Sequence, residues 1–308
     1  MSLKSLVVSN APHRLLNTLL TPRRSFERAE QVLVRRTLGV PPLSQLDLAS
    51  VKQSETLFIL GSGQSIGGLT KGQFQAIESK DSLGFNFWVA HPFVPTMLLI
   101  YPGGHRDRAT YQRYWSVLDE KAENYQKCLK IISDLSRDSI PFIEGLPEAF
   151  RTGLYAVERR FPFARTEAEL RTEISKMVRR GKLTSHRNSL RANRLFKYGN
   201  SLSATLSLAA TMEYERIILC GVDLLDRRYF YEDAEKFPLM AGYNGSSLAP
   251  AGEQHPTLTR SSPNMLTVLE TVSILHEVLF KPRNVQLFVQ HAESALASIL
   301  PVFEEDGW

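Results

Sequence analysis

The sequence lacks the features that would place it outside ordinary globular proteins. Its only two cysteines, Cys128 and Cys220, each lie within an apolar pattern, which excludes a disulfide-stabilised scaffold. The longest apolar runs, such as residues 96–101, are far too short to cross a bilayer. The first residues show neither the apolar stretch nor the cleavage site of a signal peptide. We therefore expect a reduced, cytoplasmic protein.

Metal-binding and nucleic-acid-binding motifs are also missing. The sequence contains no Asp-x-Asp motif and no cluster of cysteine and histidine at ligand spacing. It contains no RNA-reading aromatic motif, internal repeat or low-complexity tract. These absences favour a protein that needs no metal and does not bind nucleic acid.

Positive charge is present, but it is concentrated in two segments. Residues 1–40 hold seven basic and two acidic side chains, a surplus equal to the net charge of +5. Residues 151–197 hold 13 basic and four acidic side chains. Charge this local suggests an anionic partner, such as a membrane surface, a nucleotide or an acidic glycan.

Residues 1–50 are predicted to form a basic helical segment in front of one larger domain over residues 51–308. Ser25 is a candidate cap for a helix that ends near Gly39. The apolar residues at helical spacing in it are Phe26, Ala29, Val32 and Leu33. With arginines on its other faces, such a helix can lie on an anionic membrane. It can equally pack on the domain and expose its arginines to solvent.

The rest of the chain alternates predicted strands with predicted helices. This order is typical of an α/β protein with a doubly wound, mostly parallel sheet. A polar stretch over residues 225–262, which we call the lid, interrupts the pattern. The predicted strands cover 56–60, 82–89, 97–101, 140–143, 216–223 and 285–289. The predicted helices cover 106–137, 166–181, 201–212, 264–280 and 292–300, and the block 151–197 is expected to be mostly basic helix and loop.

The first informative motif is the glycine-rich turn that follows the first strand. Gly61, Ser62, Gly63 and Ser65 lie between a strand and a helix, where a phosphate or ribose can approach the backbone. Ile66 stands where a dinucleotide-binding fingerprint requires glycine. A nicotinamide enzyme stays open, since Asp81 lies ~20 residues further on, where such enzymes place a ribose-binding acid. A tight turn without a ligand is the simpler alternative.

Two further polar residues are candidates for a functional site. Asp223 ends a buried strand, where its carboxylate can bind a sugar hydroxyl or cap the next turn. His255 lies in a polar loop before the last large helix and can act as a general base near neutral pH. Most loop histidines, however, are simply solvated.

Together these motifs resemble the bacterial sialyltransferases of glycosyltransferase family 42. Residues 57–68 are similar to the opening G-x-G-P-S turn of that family, and Phe85-Asn86-Phe87 to its second strand. Asn200-Ser201 and Gly221-Val222-Asp223 resemble its Thr-Ser and G-I-D segments in the same order. Its C-terminal helix, strand and S-x-L-A segment have counterparts at 264–270, 285–289 and 294–297. The resemblance covers residues 56–101 and 195–300.

The resemblance implies a Rossmann-like, A-type inverting glycosyltransferase with a lid insertion. It would move a keto-acid sugar (sialic acid, a related nonulosonic acid or Kdo) from a CMP-activated donor to a cell-surface glycan or glycolipid, as in lipopolysaccharide or capsule biosynthesis. It implies no metal or other cofactor, and it is compatible with a homo-oligomer and with peripheral membrane contact. The implied substrate-binding residues are Gly61, Ser62, Gly63, Ser65, Asn86, Lys197, Asn200, Ser201 and Asp223. The implied catalytic residues are His255 as general base, with Tyr231 and Tyr229 on the leaving phosphate.

The sequence departs from the family pattern at the lid. Of the two family tyrosines, one falls on Tyr231 and the other on Leu225, so Tyr229 is the substitute. His255 precedes Asn264 by nine residues, which requires an insertion. A divergent relative with a different CMP-linked keto-acid sugar, such as Kdo, fits these departures.

Two other classes of function remain alternatives. One is the nicotinamide-dependent oxidoreductase with a Rossmann-type domain. The other is a non-catalytic module that binds a membrane or nucleic acid through the two basic segments.

Overall fold

The structure is a computed structural model that describes residues 21–102, 108–160, 162, 164–181, 183, 194–240, 252–260 and 265–304. Over these residues eight strands form one sheet in the order β6-β5-β4-β3-β2-β1-β7-β8. The strands are β1 Thr56–Leu60, β2 Asp81–Phe85, β3 Met97–Ile100, β4 Leu129–Ser133, β5 Leu154–Arg160, β6 Arg194–Phe196, β7 Arg216–Cys220 and β8 Gln286–Val289.

Every neighbouring pair of these strands is parallel. The predicted doubly wound, mostly parallel sheet is therefore confirmed. The helices are α1 Thr21–Thr37, α2 Leu48–Val51, α3 Lys71–Glu78, α4 Arg108–Lys121, α5 Ile140–Glu144, α6 Glu148–Arg151, α7 Glu167–Arg179, α8 Ser201–Thr211 and α9 Val268–Leu275.

Helices cover both faces of the sheet, which explains why the central strands read as continuous apolar runs. Successive side chains of a strand point to opposite faces. Leu57 and Ile59 accordingly belong to one hydrophobic cluster, which also holds residues of α7, α8 and α9. Phe58 and Leu60 belong to a second cluster on the other face, together with residues of α4 and α5.

The chain order creates a crevice between β1 and β7. From β1 the strands proceed outward on one side as far as β6, and α8 then returns the chain to β7 on the other side of β1. Ligands of open parallel sheets bind beyond the carboxyl ends of the strands at such a switch point. All side chains from Leu202 to Thr211 in α8 are buried, so this returning helix is fixed beside the crevice.

Several predicted elements are wrong. The helix predicted over 106–137 ends at Lys121, and Leu129 and Ile132 lie in β4 instead. The apolar run of β4 is interrupted by Lys130, which is fully buried because its ammonium donates a hydrogen bond to the Tyr125 carbonyl oxygen at 2.9 Å. A buried lysine in a central strand is rare. Because Lys130 interrupts the apolar run, the sequence pattern did not indicate a strand here.

Other differences concern short elements. The strand predicted over 140–143 is helix α5, which has Pro141 in its first turn, a position that suits proline. The block 151–197 contains β5 and β6 as well as helix α7. The strand predicted over 82–89 ends at Phe85, and the helix predicted over 292–300 is only a 3₁₀ turn over Ala295–Ser298.

The described part of the N-terminal segment packs on the domain. Helix α1 already includes Thr21, the first described residue, so Ser25 is an interior residue and not the cap. Val34 is buried, the Arg28 Nε atom lies 3.1 Å from a Glu158 carboxylate oxygen, and Pro42 pairs with Ala156 of β5. The predicted apolar cluster at residues 15–20 lies outside the described residues. In the part of the chain that is described, no helix is long and apolar enough to span a membrane.

Candidate active site

A cavity of about 280 Å³ opens at the switch point, beyond the carboxyl ends of β1, β2 and β7. Most of the site residues predicted from the sequence line it. The lining residues are Ser62, Gly63, Phe85, Asn86, Gly199, Asn200, Ser201, Leu202, Gly221, Val222, Asp223, Leu224, Asp226, Arg227, Arg228, Tyr229, His255, Thr257 and Val268.

The floor of the cavity is formed by two glycine turns in direct backbone contact. Gly61 N–H donates to the Cys220 carbonyl oxygen at 2.7 Å, and Gly63 N–H donates to that of Gly221 at 2.8 Å. A β-carbon at Gly61 would lie 2.4 Å from the Gly221 oxygen, and one at Gly63 would lie 2.5 Å from Asp223 Oδ2. Glycine is therefore required here by close approach.

The Asp223 carboxylate ties the two turns together. Its Oδ2 accepts a hydrogen bond from Ser65 N–H at 2.8 Å, and its Oδ1 accepts one from the Ser65 hydroxyl. His291 Nε2 lies 3.1 Å from the same Oδ1. Asp223 is buried and borders the cavity, but its carboxylate oxygens are engaged by Ser65 of the glycine-rich turn and by His291. Ser65 serves this contact and does not line the cavity.

Polar groups on the cavity wall have unused hydrogen-bonding capacity. The Ser62 Oγ atom is buried and has no hydrogen-bond partner among the described residues. Such an atom carries a desolvation cost that a ligand oxygen or nitrogen would relieve. Asn86 directly follows β2 with φ of +57°, a left-handed conformation that asparagine tolerates better than most residues, and it lines the cavity.

Helix α8 begins at the cavity. Asn200 is its N-cap, and its side-chain oxygen accepts a hydrogen bond from Ser203 N–H at 2.9 Å. Ser201, the first helical residue, lines the cavity beside it. The first backbone N–H groups of a helix have no partner within the helix and attract anions. This wall therefore suits a phosphate or a carboxylate.

Another part of the cavity lining carries a hydrogen-bonded chain of three side chains. The Tyr229 hydroxyl lies 3.2 Å from His255 Nε2, and His255 Nδ1 lies 2.7 Å from the Thr257 hydroxyl. The Thr257 hydroxyl can donate or accept, but Thr257 N–H also donates to Nδ1 at 3.3 Å, so these contacts favour the neutral tautomer with its proton on Nε2. The half-buried His255 faces the cavity and not bulk solvent.

Burial affects the titration of both larger members of this chain. Desolvation, and to a lesser degree the Arg227 guanidinium, lowers the pKa of His255 below its usual 6.5. Desolvation raises the pKa of the Tyr229 phenol. At neutral pH the pair is therefore a neutral imidazole and a protonated phenol, which can accept one proton and donate another.

Four of the predicted site residues do not line the cavity, namely Gly61, Ser65, Tyr231 and Lys197. Tyr231 is buried behind Tyr229, with the two rings stacked at 5.2 Å and 11°, because a 3₁₀ turn over Phe230–Glu232 directs successive side chains apart. Lys197 forms an ion pair with Asp134 at 2.7 Å and lies 4.0 Å above the Tyr101 ring. Leu225, at the position of the second family tyrosine, is 41% exposed.

Asp81 does not lie where a ribose-binding acid would. It is the first residue of β2, so it lies at the opposite edge of the sheet from the cavity. Its Oδ2 accepts hydrogen bonds from the N–H groups of Gln53 and Ser54 and from the Tyr214 hydroxyl, all within 3.0 Å. Asp81, the candidate ribose-binding acid of a nicotinamide enzyme, therefore makes structural hydrogen bonds away from the cavity.

Sequence reasoning missed the charged residues at the start of the lid. Asp226, Arg227 and Arg228 all line the cavity, and their proximity to Tyr229 in the sequence was the available signal. Arg228 forms a two-point ion pair with Asp226, and its hydrogen bonds lower the pKa of that carboxyl group to about 2. Within the described ranges, no group of three histidine, cysteine, aspartate or glutamate residues could hold a metal ion.

Of the comparisons with known proteins, only the one with solved structures gives matches. No protein-family profile and no curated protein sequence matches the chain. Among solved structures, the chain is similar to a tyrosine-to-phenylalanine variant of the sialyltransferase CST-II in complex with CMP, with a TM-score of 0.41, 12% identity and coverage of 82% of this chain and 87% of that chain.

Two further structures of the same enzyme are similar. An asparagine-to-alanine variant with CMP has a TM-score of 0.41 and 13% identity, over 80% of this chain and 86% of that chain. The enzyme with a trisaccharide acceptor and CMP has a TM-score of 0.39 and 13% identity, over 80% and 85%.

We predict that Gly61→Ala lowers the free energy of unfolding by about 1–3 kcal/mol, the usual cost of overpacking, because the added methyl would meet the Gly221 oxygen. Gly67→Ala is the matched control, since a β-carbon there meets nothing within 4 Å. Urea denaturation of both variants measures the difference. Equal stability of the two variants would contradict the close contact of the glycine turns.

Proposed function

We propose that this protein is an inverting glycosyltransferase that uses a CMP-activated keto-acid sugar. The observation that carries the proposal is the hydrogen-bonded pair Tyr229 and His255 inside the switch-point cavity. One part of the cavity lining suits an anionic donor, and another carries a neutral base and a phenol. A nicotinamide-dependent oxidoreductase is not favoured, because its expected acid, Asp81, serves the other end of the sheet.

The donor nucleotide lies over the glycine turns in this proposal. Gly63 and Asn86 approach the cytidine, and the buried Ser62 hydroxyl donates a hydrogen bond to it. The N-terminus of α8, with Asn200 and Ser201, faces the carboxylate of the donor sugar, and the phosphate lies toward Tyr229. These roles are supported by the lining of the cavity, the unpartnered Ser62 Oγ atom and the motif resemblance.

The transfer requires a base for the acceptor and stabilisation of the leaving group. As the acceptor oxygen attacks the anomeric carbon, its proton passes to His255 Nε2, while the bond to the CMP phosphate breaks on the opposite face. This step requires the imidazole's own proton on Nδ1, where it is donated to the Thr257 hydroxyl. Tyr229, released from Nε2 by the acceptor, donates a hydrogen bond to the departing phosphate. No step in this scheme uses a metal or cofactor.

We predict that His255→Ala reduces kcat by about 10²–10⁴-fold, the usual contribution of a positioned base, while CMP affinity stays nearly unchanged. The imidazole must be neutral to accept a proton, and its pKa is lowered. The wild-type kcat/KM should therefore decrease as the pH is lowered below about 6.5, where the imidazole becomes protonated. The His255→Ala variant should not show this decrease.

The control for this prediction is His276→Ala, since His276 follows α9 outside the cavity and should leave transfer intact. Initial rates of CMP release between pH 5 and 8 measure both variants. Unimpaired transfer by His255→Ala would pass the role of base to the lid carboxylates Glu232, Asp233 or Glu253.

The finer identity of the substrates follows from the resemblance. The donor sugar is a sialic acid, a related nonulosonic acid or Kdo, and the acceptor is a glycan or glycolipid of the cell surface, in lipopolysaccharide or capsule biosynthesis. Departures at Leu225 and in the spacing after His255 support a donor other than the one common in the family.

We also propose peripheral contact with an anionic membrane through α1. Phe26 and Leu33 lie two helical turns apart and are 68% and 55% exposed, while Val34 is buried. The segment over residues 1–40 supplies the charge for such a surface. The exposed apolar pair would insert between headgroups while the buried side of the helix stays on the domain.

We predict that the double variant Phe26→Ser, Leu33→Ser binds anionic vesicles at least about 10-fold more weakly, since each large side chain contributes roughly 1.5–3 kcal/mol when fully buried. Leu239→Ser removes an exposed leucine elsewhere and should bind like wild type. Vesicle co-sedimentation measures all three proteins. Equal binding by all three would leave α1 as a docked helix only.

A further inference from the structure

Two adjacent arginines line the cavity, and their charges are balanced differently. Arg228 lies in a two-point ion pair with Asp226, three residues from Asp223 on the same lid segment. Arg227 is paired through one Nη atom with Glu253 at 2.9 Å, and that glutamate side chain is 44% exposed. A pair with such an exposed carboxylate contributes little and exchanges readily with solvent.

The inner part of Arg227 has unused hydrogen-bonding capacity. Its Nε atom is buried and has no hydrogen-bond partner among the described residues, although the side chain as a whole is 36% exposed. A buried guanidinium N–H without an acceptor is costly. A ligand oxyanion in the cavity is an acceptor that would remove this cost.

Backbone pairing places Arg227 beside the catalytic pair. Arg227 N–H donates to the Glu253 carbonyl oxygen, and His255 N–H donates to the Leu224 carbonyl oxygen, both at 2.8 Å. These two bonds hold the start of the lid against the loop that carries His255. The guanidinium is near enough to His255 and Tyr229 to influence the pKa of each.

The proposed reaction needs a cation that the nominated residues do not supply. Negative charge accumulates on the departing phosphate, and Lys197 is held at Asp134, outside the cavity. Tyr231 lies behind Tyr229, and Leu225 has no hydroxyl. Tyr229 is therefore the one phenol that remains for the phosphate. Of the two arginines that line the cavity, Arg227 is less neutralised by its carboxylate partner than Arg228 is.

We propose that Arg227 binds the phosphate of the CMP-activated donor and stabilises the departing CMP, an inference that rests on the proposed function. The Nε–H and one Nη–H of a guanidinium match two oxygens of a phosphate. Glu253 then turns to solvent, and the donor phosphate takes its place. The cavity would thereby discriminate a nucleoside monophosphate from a nucleoside.

The test compares CMP with cytidine by isothermal titration on the full chain. Arg227→Gln should weaken CMP binding by about 10- to 100-fold, the range for a charge-assisted hydrogen bond, and should change cytidine binding by less than about 2-fold. Arg227→Lys should restore part of the CMP affinity, because it keeps the charge without the fork. Arg171→Gln, which removes a surface arginine paired with Glu277, should bind both ligands like wild type.

Each other outcome overturns a stated part of the proposal. Wild-type protein that binds no CMP overturns the proposed function and this assignment together. Wild-type protein that binds CMP, with Arg227→Gln binding it equally well, overturns only the assignment of Arg227. A matching loss for cytidine would show that the variant damages the cavity as a whole, and this also overturns the phosphate assignment.

Discussion

The close contact between two glycine turns is the constraint on which the site depends. Gly61 and Gly63 donate backbone hydrogen bonds across the switch point to Cys220 and Gly221, at a separation that leaves no room for a β-carbon. The cavity opens beyond the carboxyl ends of β1, β2 and β7. The Asp223 carboxylate fixes this arrangement by binding Ser65 from the other turn.

The lid follows directly from the same contact. After Asp223 the chain passes through Leu224 and Arg227, which pair with the loop that carries His255. The position of His255 is thus set by the strand end and not by the length of the lid between. The same pairing also places an arginine next to the histidine, where the proposed leaving group needs a cation.

The central elements of the fold could be predicted because local pattern and tertiary environment agree there. The apolar run of β1, the small residues of α8 and the glycine turn all give the correct structure. The pattern failed where a tertiary contact overrides it. Lys130 is accommodated in a central strand by the Tyr125 carbonyl oxygen, and no local signal announces such a partner.

The site could be predicted in position more than in detail. Gly63, Asn86, Ser201, Tyr229 and His255 meet in one cavity because strand ends of a parallel sheet lie at one edge. Tyr231 and Lys197 were expected in the same site but do not line the cavity, since their directions depend on a 3₁₀ turn and on a distant aspartate. The spacing of Asp81 from the glycine turn suggested a ribose-binding acid, but spacing along the chain does not show at which end of a strand a residue lies.

The most direct test of the central claim is the release of CMP from a panel of CMP-activated keto-acid sugars, with and without glycan acceptors, in the presence of a chelator. The account predicts that the wild-type protein releases CMP from at least one donor, faster with an acceptor, and yields a product of inverted anomeric configuration. Release that requires a divalent metal, or a product of retained configuration, would contradict it. No release from any donor, together with tight binding of a nicotinamide dinucleotide, would replace it with the oxidoreductase alternative.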